Sequence, residues 1–225
     1  MTRTALIAAG ALLAFATAQA WANAPGGASR RQSSANQPGA HHADDSLPHD
    51  RHEGLSVSAD AYSDPARAKE KFGKSADPLP LGILPVEVFL RNETSEPMHV
   101  DLSTIQLDVH PHGGARDEDI DAMSLHDVAA AVAHPKGPSA PQQRRFPVGI
   151  GSTGDKKADK VADVLGPLVL DSDIVPPMGT VHGFLFFDLG DDMSLAETAS
   201  VYVPDVTIVP SQKALMFFEV PVGKE

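Results

Sequence analysis

The stretch Leu84–Val109, LPVEVFLRNETSEPMHVDLSTIQLDV, decides the fold. Val86, Val88 and Leu90 alternate with Glu87, Phe89 and Arg91. A period of two with β-branched residues belongs to a strand, because successive side chains point to opposite faces. NETSEP, 92–97, is turn chemistry. Val100 and Leu102 then alternate, followed by Ile105, Leu107 and Val109. The reading is strand, turn, strand. Asn92-Glu93-Thr94 also fits the N-glycosylation pattern, and we take it as a plain turn.

Further strands follow outward from this unit. TVHGFLFFDL, 180–189, is apolar on both faces and predicts a central strand. SVYVPDVTIV, 200–209, and KALMFFEVPV, 213–222, predict two more, joined by a hairpin at Pro210–Gln212. Pro204 inside its run signals an edge or a bulge. LSVSA, from Leu55, predicts a first strand.

Short helices interrupt the β pattern. Asp64 as N-cap, Pro65 in the first turn and Gly73 as C-terminal stop frame one. Ser124 and Asp127 form a capping signal for a second, ending before Pro135. A third, DKKADKVADVLGPL from Asp155, places Val161, Val164, Leu165 and Leu168 on one face. The expected fold is all-β: an antiparallel immunoglobulin-like β-sandwich of about seven strands with two or three short helices in the connections. It spans residues 55–225, with a helical insert around 117–168.

The N-terminal residues predict export. Residues 1–24 carry basic Arg3, an apolar run Ala5–Ala18, and Ala22-Asn23-Ala24, the small-residue pattern of signal-peptide cleavage. The run falls short of the ~20 residues a membrane span needs. Cleavage after Ala24 predicts a periplasmic or secreted chain with no transmembrane segment. Residues 25–54 hold Gly, Ser, Pro and charge with one large apolar residue, Leu47, and predict a disordered linker. The chain has no cysteine, so its stability rests on an apolar core rather than disulfides. With 18 basic and 30 acidic residues, net −12, it disfavours nucleic acid and anionic lipid as partners.

Five motifs bear on chemistry. GIGSTG, Gly149–Gly154, matches a dinucleotide-binding pattern, but PQQRRFPV before it is no buried strand, so a nucleotide-binding enzyme is disfavoured. His41, His42, His49 and His52 lie among Asp44, Asp45, Asp50 and Glu53 and form a candidate transition-metal site. His110 and His112 read as loop histidines. Asp117, Asp119 and Asp121 have calcium-loop spacing, but Ala122 and Val128 stand where glycine and the bidentate acid belong. Ser124 and His126, two apart, do not face each other on a helix. No G-x-S-x-G elbow or H-E-x-x-H helix is present.

The block 72–109, with VPPMGTVHGFLFFDL (175–189) and VPSQKALMFFEVPV (209–222), resembles small immunoglobulin-like accessory domains of exported bacterial envelope proteins. That resemblance implies a sandwich and brings no catalytic residues and no cofactor. The expected role is therefore a non-enzymatic binding or accessory module with a protein or envelope partner. The metal-binding histidine segment is the alternative.

Overall fold

The computed structural model describes residues 46–110, 117–135 and 155–222. All of them belong to one compact unit, His41–Glu225. GIGSTG, His41, His42 and His112 lie outside the described residues.

The first sheet has the order β1-β2-β3-β8, all antiparallel. Its strands are β1 (His49–His52), β2 (Leu55–Ala61), β3 (Ile83–Asn92) and β8 (Thr180–Asp188). The turn joining β1 to β2 is Glu53-Gly54, with φ 49° and 85°. Positive φ at both central residues matches the twist of a tight hairpin. The segment 46–54, expected to close a linker, is thus part of the fold.

Two further four-stranded sheets follow. The second runs β11-β10-β4-β7: β4 (Met98–Val100), β7 (Ile174–Val175), β10 (Val206–Ile208) and β11 (Lys213–Ala214). The third runs β12-β9-β5-β6: β5 (Gln106–Val109), β6 (Glu118–Asp121), β9 (Ala199–Val203) and β12 (Phe218–Pro221). Three helices connect them: α1 (Pro65–Phe72), α2 (Leu125–Ala133) and α3 (Lys156–Leu165).

The described residues therefore form twelve strands in three antiparallel sheets, where about seven were expected. Part of the excess is β1, β6 and β7, which carry no clear apolar alternation, and part comes from interrupted paths. Asp101 caps a 3-10 turn, Leu102–Thr104, that separates β4 from β5. Pro204, which has no N–H for a ladder, separates β9 from β10. The two breaks lie side by side, with Asp101 N donating to Asp205 O at 3.0 Å.

β8 also differs from expectation. It is apolar on both faces, yet it ends its sheet rather than sitting inside it. Irregular backbone takes the place of a neighbouring strand: Leu170 N donates to Phe184 O at 3.1 Å and Met123 N to Phe186 O at 2.8 Å. Gly183 permits this approach, because a Cβ there would stand 2.5 Å from Leu170 N.

One face of the β2–β3–β8 ladder carries Val57, Val86, Val88, Leu90 and Phe187 into the core. On the other, Phe184 and Phe186 meet α1 through Phe72, at ring-centroid distances of 5.0 and 6.2 Å. Asp64 caps α1 by accepting from Ala66 N and Arg67 N, and Gly73 ends it at φ 72°. On α3, Val161 and Leu165 are buried as the period predicts, whereas Val164 is exposed.

Asn92 joins the first sheet to the second. Its side chain is 1% exposed. Nδ2 donates to Glu96 O at 2.7 Å and Val175 O at 3.3 Å, while Oδ1 accepts from Thr94 N and Thr94 Oγ1. The turn reading of Asn92 holds. Asn92→Ala should cost roughly 2–3 kcal/mol, since it leaves buried backbone groups unpaired. Urea unfolding checks this: the midpoint falls while the slope is unchanged.

Candidate functional site: the outer face of the third sheet

Alternation along the third sheet sorts its side chains. Val109, Val201, Val203, Phe218 and Val220 are buried. The outward set is Gln106 and Asp108 on β5, Asp119 and Asp121 on β6, Ser200 and Tyr202 on β9, and Glu219 on β12. The register places Tyr202 between Glu219 and Gln106, and Asp108 between Ser200 and Asp119. None of the four strands contains Lys or Arg.

This face is electrostatically one-sided. Burial, then the charges of Asp119 and Glu219, raise the Asp108 carboxyl above the usual carboxylate range. His110 lies 3.0 Å from Asp117, and that hydrogen bond raises its imidazole above the ordinary histidine value.

Beside Tyr202, the segment between β11 and β12 exposes two large apolar side chains. Met216 is 64% exposed and Phe217 48%. The Phe217 ring lies 5.4 Å from that of Tyr202. Three residues of the β1 hairpin hold this turn. Glu53 accepts from Met216 N at 2.8 Å and from Lys213 Nζ at 3.0 Å. Asp50 accepts from Glu219 N at 3.1 Å. His52 stacks on Phe218 at 4.0 Å, with Nε2 3.1 Å from Phe217 O. A carbonyl only accepts, so Nε2 carries the proton. The Met216 hydrogen bond, then Lys213, lowers the Glu53 carboxyl below its ordinary value.

The histidines read as a metal set are placed as follows. His49 and His52 are three residues apart in β1 and so point to opposite faces. His49 Nδ1 lies 3.0 Å from Leu47 O. His52 engages Nε2, and its Nδ1 is buried without a hydrogen-bond partner among the described residues. No group of three or more potential ligands that could hold a metal ion occurs among the described residues.

Other candidates serve local structure. Asp119 and Asp121 sit in a strand, which spaces carboxylates instead of converging them as a loop does. Asp121 accepts from Gln106 Nε2 at 2.8 Å. Ser124 caps α2, and His126 is exposed. Asp155 caps α3 by accepting from Lys157 N and Ala158 N, and His134 Nε2 approaches it to 2.6 Å. A carboxylate thus occupies the helix N-terminus to which a phosphate would otherwise be drawn.

A second polar group, missed in the sequence, lies on the first sheet. Glu87 is 7% exposed. It accepts from Tyr62 Oη at 3.1 Å, with His182 Nδ1 at 3.3 Å and Lys71 Nζ at 3.8 Å. Burial and the Glu87 charge push the Tyr62 hydroxyl up to about 12, so it remains a donor. Arg67 stacks over the Tyr62 ring at 3.9 Å and pairs with Asp60. These contacts satisfy a buried carboxylate and fix α1 to the sheet.

No family model and no curated protein matches the chain. Among solved structures it is similar to a functionally unknown protein from Listeria monocytogenes EGD-e, at 12% identity and a TM-score of 0.34. The match covers 79% of this chain and 82% of that one. So loose a likeness carries no argument. No helix among the described residues is long and apolar enough to cross a membrane.

Two outcomes follow from this geometry. Asp108→Asn should raise Tm at neutral pH by removing an ionised group whose neighbours repel it. A carboxyl raised in the fold favours the folded state when protonated, so the wild type regains this stability as pH falls. The gain in Tm should therefore shrink in acid, as a pair of pH–Tm curves will show. Glu53→Ala should speed hydrogen exchange of the Met216 amide at neutral pH. In the wild type, the contribution of Glu53 is complete above the ordinary carboxyl value near ~4.3 and is lost as pH falls through its lowered folded value. An NMR titration of the Met216 amide reads that transition.

Proposed function

We propose that the protein is an exported, non-enzymatic binding module of the bacterial envelope, contacting a protein partner through the outer face of the third sheet. The observation that carries this reading is the exposure of Met216 and Phe217 on a turn tied down by Glu53, Asp50 and His52. Large apolar side chains grouped beside a tyrosine and rimmed by polar residues are the anatomy of a contact surface. Holding them rigid reduces the ordering cost of association. The leader sequence supports export. The adjacent breaks at Asp101 and Pro204 support an immunoglobulin-like sandwich in which the second and third sheets are halves of one interrupted layer.

The test is crosslinking of the tagged chain in its own cell envelope, with mass spectrometry as readout. Met216→Ser with Phe217→Ser should abolish the specific crosslink while shifting stability by no more than about 0.5 kcal/mol, as surface substitutions do. An unchanged crosslink would falsify this reading. The same experiment should recover the mature chain beginning after Ala24.

A further inference from the structure

The chemistry of the partner's contacting segment is written into the same face. Every ionised group on the outward positions of β5, β6, β9 and β12 is a carboxylate: Asp108, Asp119, Asp121 and Glu219. Among the described residues, His110 at the end of β5 is engaged with Asp117. Elsewhere the fold pairs its acids with cations, as in Arg67–Asp60, Arg51–Glu93 and Lys213–Glu53. Here Asp108 and Asp119 face each other across the strands, and among the described residues none of the four carboxylates pairs with Lys or Arg. Tyr202 stands at the edge of this field, with Phe217 and Met216 beyond it.

We infer that the outer face of the third sheet docks an extended polypeptide segment rich in Lys and Arg. Its apolar side chains seat on Met216 and Phe217, and one of its cations lies over the Tyr202 ring. The inference rests on the binding reading above and names the occupant of that site.

Charge complementarity selects this occupant. A Lys or Arg side chain brings an aliphatic stem for the apolar turn and a charged head for the carboxylates. An aromatic face flanked by acids attracts cations through both the ring quadrupole and the net charge. Nucleic acid and anionic lipid meet the wrong sign. A second copy of this net −12 chain, face to face, would oppose like charges. A divalent ion needs converging ligands, and these carboxylates are distributed along and across strands.

The experiment uses the mature chain and a labelled peptide alternating Lys or Arg with Leu, with a Glu-for-Lys/Arg peptide as control. Binding is read by fluorescence anisotropy at two salt concentrations. The basic peptide should bind saturably and more weakly at high salt, and the acidic one should not bind. Asp108→Asn with Asp119→Asn should raise Kd about tenfold. Phe217→Ser should raise it as well, with less effect on the salt dependence. Asp159→Asn with Asp163→Asn on α3 removes equal charge away from the face and should leave Kd unchanged.

Equal weakening by the α3 pair would mean that net charge alone attracts the peptide, and would overturn the inference. So would the absence of saturable binding, or calcium displacing the peptide at equimolar concentration from the wild type but not from the Asp108/Asp119 variant. If the peptide fails but Met216→Ser with Phe217→Ser abolishes the envelope crosslink, the binding reading stands and the basic partner falls. If those substitutions change neither the crosslink nor peptide binding, both fall.

Discussion

A ladder that is apolar on both faces must be covered twice, and much of this fold serves that cover. β3 pairs with β8 over nine registered positions, from Ile83–Asp188 to Arg91–Thr180. One face closes into the main core with β2 and the other two sheets. The other takes α1, whose Phe72 lies against Phe184 and Phe186. Apolar area removed from water is the largest favourable contribution to such a fold. The edge of β8 is met by the backbone of Leu170 and Met123 rather than by another strand. Coverage of this ladder therefore also determines where the helical insert re-enters the fold.

The cover brings a carboxylate into the interior, because Glu87 alternates onto the face that α1 closes. Its charge is met by Tyr62, His182 and Lys71. The outer face of the third sheet differs: among the described residues its acids have no Lys or Arg partner, and Met216 and Phe217 are exposed. The first group has its partners within the chain, whereas the second leaves apolar side chains exposed. That contrast is why one reads as structural and the other as a contact surface.

The hairpin of β1 and β2 links the two regions. Asp50, His52 and Glu53 belong to a histidine-rich segment that resembles a flexible metal-binding tract by composition. In the fold they bind the turn before β12. Side chains that would capture a solute in a loose segment here accept backbone N–H groups and stack on Phe218. Composition reports which chemistry a residue can perform, whereas its neighbours determine which chemistry it does perform.

Much of the fold was legible in the sequence. The period-two runs marked β3, β8, β9 and β12, and Asp64, Ser124 and Asp155 marked the three helix starts. The Asn92 turn and the Pro204 break were legible as well. These features depend on local sterics and on burial of one face, which leave a pattern in adjacent residues. β1, HDRH, and β6, EDID, were not legible, because strands with few buried side chains carry no apolar alternation. The division into three sheets, the position of β8 at an edge, and the meeting of Tyr202 with Phe217 were decided by tertiary structure alone. Each depends on backbone hydrogen bonds or contacts between residues far apart or across a turn, and the order of residues along the chain holds no record of them.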